Sequence, residues 1–184
     1  KNVYTYDSHG KLTEVVAYKS DGSVSSKNVY TYDARGKQTE YVYYESDGFV
    51  SAKTVYVYDD RGNKTEEVYY RYAGSVSYKE VHIYDALGKQ TEYVQYGSDG
   101  LVSSKNVSIY DSRGKLTEVV AYKSDGSVLG KIEENTYDTR GNLTKKIHFI
   151  YFAEGSVRSK HVYAYDAHGN TTEESHYEYI TSFG

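Results

Sequence analysis

Short runs of alternating apolar and polar residues, each cut off by a turn signal, fill this chain from Asn2 onward. Runs of about 7 to 9 residues rich in Val, Tyr and Thr carry the two-residue period of half-buried strands. No segment shows the helical period with caps at its ends. One unit, read from Lys27, is KNVYTYDARGKQTEYVYYESDGFVSA. Two turn signals divide it, Tyr32-Asp33-Ala34-Arg35-Gly36 and Tyr44-Glu45-Ser46-Asp47-Gly48. In each, a type I turn leads into a Gly that can take the left-handed conformation and form a bulge. Asp33, at the turn start, is placed to bond local amides. The pattern predicts an all-β chain of tandem hairpins. About 14 strands would form one long antiparallel meander, either a twisted single layer or a rolled sheet.

The unit repeats. Tyr-Asp pairs stand at Tyr6-Asp7, Tyr32-Asp33, Tyr58-Asp59, Tyr84-Asp85 and Tyr110-Asp111, a period of 26. The next two, Tyr137-Asp138 and Tyr165-Asp166, follow at 27 and 28. A Gly stands three residues after each Asp. A period in this range marks a repeat architecture, in which each unit contacts mainly its neighbours. The reading is one repeat-built domain over 1–184, regular over 1–128 and irregular over 129–184. The extra residues are expected as a bulge or longer loop within 129–155, at Leu129-Gly130 or over 147–152. Phe149, Ile150 and Phe152 are expected to form a cap or local core.

The turns also imply a register. With Asp7 closed against Lys11, Tyr6 faces Leu12, Tyr4 faces Glu14 and Val3 faces Val15. With Lys19 closed against Ser23, Tyr18 faces Val24, Val16 faces Ser26 and Glu14 faces Asn28. One side would carry Tyr4, Tyr30, Glu14, Val16 and Asn28, and the other Thr5, Val15, Ala17, Lys27 and Val29. The ladder would shear by two residues per repeat, which coils a sheet. Charge on both sides fits poorly with an outer-membrane barrel, whose lipid-facing side excludes it.

Composition sharpens this picture. There are 25 Tyr and 16 Gly but no Cys, Pro, Trp or Met. Tyr buries a ring while keeping its hydroxyl wet, so cross-strand pairs on half-wet faces can replace a thick core. Without Cys, disulfides and thiolate zinc sites are excluded. A net charge of −4 gives no basic footprint for nucleic acid. No apolar run approaches the length of a membrane helix. The start at Lys1 is read as that of a processed product or fragment.

The units KNVYTYDARGKQTE and YVYDDRGNKTEE resemble the YD repeats of bacterial Rhs-type and wall-associated proteins over nearly the whole chain. Asp59 to Thr65 fits the YDxxGNxT pattern, as do Gly141 to Thr144 and Gly169 to Thr172. Lys11, Lys37, Lys89 and Lys115 stand where that pattern has Asn. The resemblance implies a hairpin ribbon, an extracellular location and carbohydrate contact. Rhs proteins use many more repeats to enclose a toxin, and no toxin domain is visible here.

Candidate chemistry is sparse. Glu14 and its equivalents recur in strands, where a solvated residue bonded to Tyr or Asn28 explains them better than a catalytic acid pair. The Ser-Asp-Gly turns lack the converging oxygens of calcium loops. His9, His82, His148, His161, His168 and His176 form no metal-ligand spacing along the chain. No GxSxG or phosphate loop exists. Asn63, Asn106, Asn142 and Asn170 fit a glycosylation sequon that turn and strand geometry already explains.

The Tyr array remains. Residues 11–24 recur unchanged at 115–128, and a catalytic centre needs different groups converging on one point. The expectation is therefore a non-catalytic secreted or cell-surface structural or adhesive protein without cofactor or metal. Its expected partners are further copies of itself or a cell-surface or matrix polymer. The alternative is multivalent sugar binding on a face of Tyr4, Tyr30, Tyr56, Glu14, Glu40, Glu66 and Asn28. Assembly would use open strand edges, at Val3, Tyr4 and Thr5 and at Thr172, Glu174 and His176, with the last strand running to Ile180.

Overall fold

The computed structural model of the protein describes residues 1–72, 74–152 and 154–179. Ile180 lies outside them. The chain forms β1 (Asn2–Tyr6), β2 (Leu12–Tyr18), β3 (Val24–Tyr32), β4 (Gln38–Glu45), β5 (Val50–Tyr58), β6 (Lys64–Arg71) and β7 (Ser75–Tyr84). It continues through β8 (Gln90–Tyr96), β9 (Val102–Tyr110), β10 (Leu116–Tyr122), β11 (Val128–Tyr137), β12 (Leu143–Tyr151), β13 (Val157–Tyr165) and β14 (Thr171–Glu178). The 14 strands follow one another in a single open sheet in chain order, as the turn pattern predicts. No helix occurs among the described residues. The chain divides into two compact units, Lys1–Gly88 with Gln95–Leu101, and Lys89–Val94 with Val102–Gly184.

The turns form as their residues dictate. At the first, the amide of Gly10 donates to the Asp7 carbonyl at 3.1 Å and the amide of Asp7 to the Lys11 carbonyl at 2.9 Å. Gly10 sits at φ 77°, where a side chain would be strained. Asp7 Oδ1 accepts the amides of His9 and Lys11 at 2.8 and 2.9 Å. The second turn uses its Asp differently. Asp21 Oδ1 accepts the Ser23 amide at 2.9 Å and the Ser23 hydroxyl at 2.6 Å.

Both turns leave one residue over, which corrects the expected register. Tyr6 does pair with Leu12, but Thr5 then pairs with Glu14, Tyr4 with Val15 and Val3 with Val16, leaving Thr13 as a bulge. Tyr18 pairs with Val24, but Val16 then pairs with Lys27 and Glu14 with Val29, leaving out Ser25. A one-residue slip exchanges the faces. Tyr4, Val15, Ala17, Asn28 and Tyr30 thus share one face, and Thr5, Glu14, Val16, Lys27 and Val29 the other. The bulged Thr explains its own recurrence. The hydroxyl of Thr13 donates across the ladder to the Thr5 carbonyl at 3.2 Å. Thr39, Thr65, Thr117 and Thr144 repeat the bond. The shear of two residues per repeat survives, because Tyr4 pairs with Val15 and Val15 with Asn28, the equivalent of Asn2.

Among the described residues the buried hydrophobic side chains are Val42, Val94 and Ala121. Most others are half-exposed on both faces, so cross-strand pairs carry the stability rather than a shared core. The added residues past 128 are absorbed within strands. Val120 pairs with Lys131 and Val119 with Glu133, so Ile132 bulges from β11. Ile147, His148, Phe149 and Ile150 continue the ladder opposite Val162, His161, Lys160 and Ser159 instead of looping out. Ile150 stays 46% exposed, and among the described residues no buried core forms around Phe149 and Phe152.

Candidate functional site

From Tyr32 to Tyr137, the recurring Tyr of the Tyr-Asp pair ties its repeat to the one before. Its hydroxyl donates to a strand-start carbonyl, Tyr32 to Leu12 at 2.8 Å, Tyr58 to Gln38 at 2.9 Å and Tyr84 to Lys64 at 2.9 Å. Tyr110 reaches Gln90 at 2.7 Å and Tyr137 reaches Leu116 at 2.8 Å. Burial pushes up the hydroxyl pKa of Tyr32, Tyr84 and Tyr137. A Lys from the preceding turn lies over the ring in a cation–π contact. Lys11 is 5.3 Å from the Tyr32 centroid and Lys37 is 5.6 Å from that of Tyr58. Along the same rim Arg35 donates to the Asp60 carbonyl at 3.0 Å, and Lys89 to that of Gly114 at 2.7 Å.

The two faces differ in chemistry. Glu14, Glu40 and Glu66 do not join the Tyr face, because the bulges turn them to the other side. There each pairs with the Lys 13 residues on. Lys27 lies 3.6 Å from Glu14 and Lys79 lies 2.7 Å from Glu66, while Lys53 pairs with Glu40. Lys105–Glu92 and Lys131–Glu118 continue the row at 2.6 and 2.9 Å. Such half-exposed pairs contribute at most about 1 kcal/mol each. They align strands, and where the register sets two carboxylates opposite each other a Lys sits beside them, Lys131 between Glu118 and Glu134 and Lys64 on Glu67, which faces Glu80.

The Tyr face is largely occupied by its own contacts. Tyr30 packs on Tyr41 at 5.4 Å, and the Tyr41 hydroxyl donates to Asn28 Oδ1 at 2.7 Å. Tyr69 stacks on Tyr78 at 5.2 Å. Tyr56 is half-buried, whereas Tyr4 is 53% exposed.

The two end strands expose unused backbone groups. Lys1 and Tyr18 exchange both hydrogen bonds, at 2.8 and 3.2 Å. Such pairs alternate along an antiparallel ladder, so Val3 and Thr5 aim their amides at β2, and Asn2 and Tyr4 aim theirs outward. Of the expected edge residues, Tyr4 therefore offers a donor and Val3 and Thr5 do not. On β14 the Tyr179 amide donates to the Arg158 carbonyl at 2.8 Å. The same alternation points Glu174 and His176 outward, with Thr172 at the bulge position.

One cluster is invisible in the sequence. His148 pairs with His161, and His161 with His176, across β12, β13 and β14. Glu133 on β11 stands opposite His148, with 3.8 Å between Oε2 and Nδ1. The His161 and His176 rings stack at 4.1 Å and 11°. The signal would have been cross-strand register, not spacing along the chain.

No protein-family model matches the chain, and no curated protein matches it. Solved structures similar to it include that of TcdB2-TccC3-Cdc42, at 12% identity and a TM-score of 0.42. That match covers 94% of this chain and 12% of that one. A porin-like protein from Bacteroides uniformis matches at 13% identity and a TM-score of 0.41, covering 95% and 87%. A protein of unknown function from Bacteroides fragilis has 13% identity and a TM-score of 0.19, covering 97% and 92%. No helix among the described residues is long and apolar enough to cross a membrane.

Proposed function

We propose that the chain is a non-catalytic structural and adhesive protein of the cell surface or extracellular space, of the YD-repeat kind its sequence resembles, that associates with further copies through its end strands. The observation that carries this reading is the tie of one unit to the one before, Tyr hydroxyl to carbonyl and Lys to Glu, repeated from Tyr32 to Tyr137, with the residue types of both halves of that tie present at the two ends. A second copy continuing the same register sets Asn2 opposite Glu174, with both backbones offering outward groups. Its Lys1 then meets Glu173 as Lys27 meets Glu14. Its Tyr6, which is 58% exposed, reaches the Thr171 carbonyl as Tyr32 reaches Leu12. This contact is heterologous and extends rather than closes. The ladder it adds is short, so association is weak and depends on concentration.

The self-packed Tyr30–Tyr41 and Tyr69–Tyr78 pairs favour this reading over a sugar-binding face. Light scattering across a concentration series tests it, with Asn2→Pro and Tyr4→Pro removing outward donors and leaving the β2 ladder intact. The reading expects mass to rise with concentration in the native chain and not in the variant. Constant monomer mass for both, with saturable binding on a glycan array, would replace it with the sugar-binding alternative.

A further inference from the structure

The histidine row across β12, β13 and β14 lies on the face that carries tyrosines elsewhere. His161 occupies the position of Asn28 and Asn106 in earlier repeats. His176 stands across from it where Tyr43 stands across from Asn28. Two exchanges in one pair thus replace an amide and a phenol by two imidazoles, and His148 adds a third on the neighbouring strand.

We propose that His148, His161 and His176 bind a divalent transition-metal ion of borderline softness such as Zn²⁺, Ni²⁺ or Cu²⁺. His161 and His176 form the chelating pair, and His148 is the third donor. Imidazole nitrogen is a preferred ligand for these ions. Directly opposed residues hold their Cβ atoms about 4.5–5.5 Å apart, which suits two ligands on one ion. Two nitrogens on a tetrahedral zinc lie about 3.3 Å apart, given Zn–N bonds of about 2.0–2.1 Å. The stacked ring centroids lie 4.1 Å apart, so a modest ring movement can set one nitrogen of each at that separation. The ring planes are nearly parallel, at 11°, so their lone pairs do not converge. Among the described residues no three-ligand group is accordingly preformed. Rotation about χ2 brings the nitrogens together, and the sites are open enough to permit it. His176 is 46% exposed at the side chain and His148 44%.

The surroundings suit a cation. Glu133 at one end of the row lies 3.8 Å from His148, and Glu178 at the other lies 4.0 Å from His176. Carboxylates in such positions orient a ligating imidazole and raise its basicity. Lys146, the cation on the same face, is already paired with Glu133 at 3.2 Å. A bound ion would tie the last three strands together.

The test is calorimetric titration of ZnCl₂ into the whole chain in a non-chelating buffer, with the three histidine ring signals followed by NMR. One ion per chain is expected, with all three rings shifting. His161→Asn, which installs the residue already present at Asn28 and Asn106, and His176→Ala should each weaken binding by about tenfold or more. Glu133→Gln should weaken it less, and His9→Ala and His168→Ala not at all. Absence of binding up to millimolar zinc, or unchanged affinity in the His161 and His176 variants, would overturn the proposal.

Discussion

Tyr58 donates its hydroxyl to the carbonyl of Gln38, 20 residues earlier, at 2.9 Å, while Lys37 lies 5.6 Å from its ring centre. The bond turns a sequence period into a structural tie, and it needs Tyr rather than Phe. Tyr58→Phe leaves a partly buried carbonyl without its donor and should cost about 1 kcal/mol. Tyr6→Phe, at an exposed ring on the first strand, should change stability by less than about 0.5 kcal/mol. Urea unfolding of the two variants checks this. Equal effects would mean that the hydroxyl bond contributes nothing.

Glycine at the turn glycines can be ranked by what a side chain would meet. Gly36 has φ 77°, and a Cβ there would lie 2.5 Å from Lys11 Cε. Gly22 has φ 86° with nothing within 4 Å. Gly36→Val should therefore destabilise by more than about 1 kcal/mol. It should also exceed Gly22→Val, because it displaces Lys11 from Tyr32 as well as straining the backbone. A neutral Gly36→Val in chemical denaturation would contradict the turn geometry.

Acid should loosen the turns together. Asp33 is held below its ordinary pKa of 3.8 mainly by the Lys37 amide, and Asp59 mainly by the Asn63 side chain. Asp7, Asp111, Asp138 and Asp166 shift the same way. A carboxyl with a lowered folded pKa adds stability that is present above the unfolded value and lost as pH falls through the folded one. The urea midpoint should stay level down to about pH 5, then fall through 3.8 and below. A midpoint unchanged at pH 2.5 would show that these bonds do not hold the turns.

Much of this fold was legible because turn chemistry is local. Gly36 and Asp33 announce their turn without help from any distant residue, and the strand count follows. Register was less legible. The bulges at Thr13 and Ser25 each add one residue, which sent Glu14 to the face opposite the one expected. The shear was still right, because two equal slips cancel in the difference. The reason for the Tyr period stayed hidden, since the partner of Tyr58 is a backbone carbonyl that no residue name marks. His148, His161 and His176 stayed hidden for a related reason. Only the register, bulges included, brings intervals of 13 and 15 residues onto one row.

The central claim is that the chain is a run of repeat units held by nearest-neighbour ties, with no shared core among the described residues. Deleting residues 37–62, one period of 26, joins Gly36 to Asn63 at equivalent positions and tests it most directly. Circular dichroism with urea unfolding should show an all-β protein that still unfolds cooperatively, with stability reduced by about one repeat's share. A deletion variant that is unfolded or molten would contradict the account, because it would mean that distant repeats depend on a core they share.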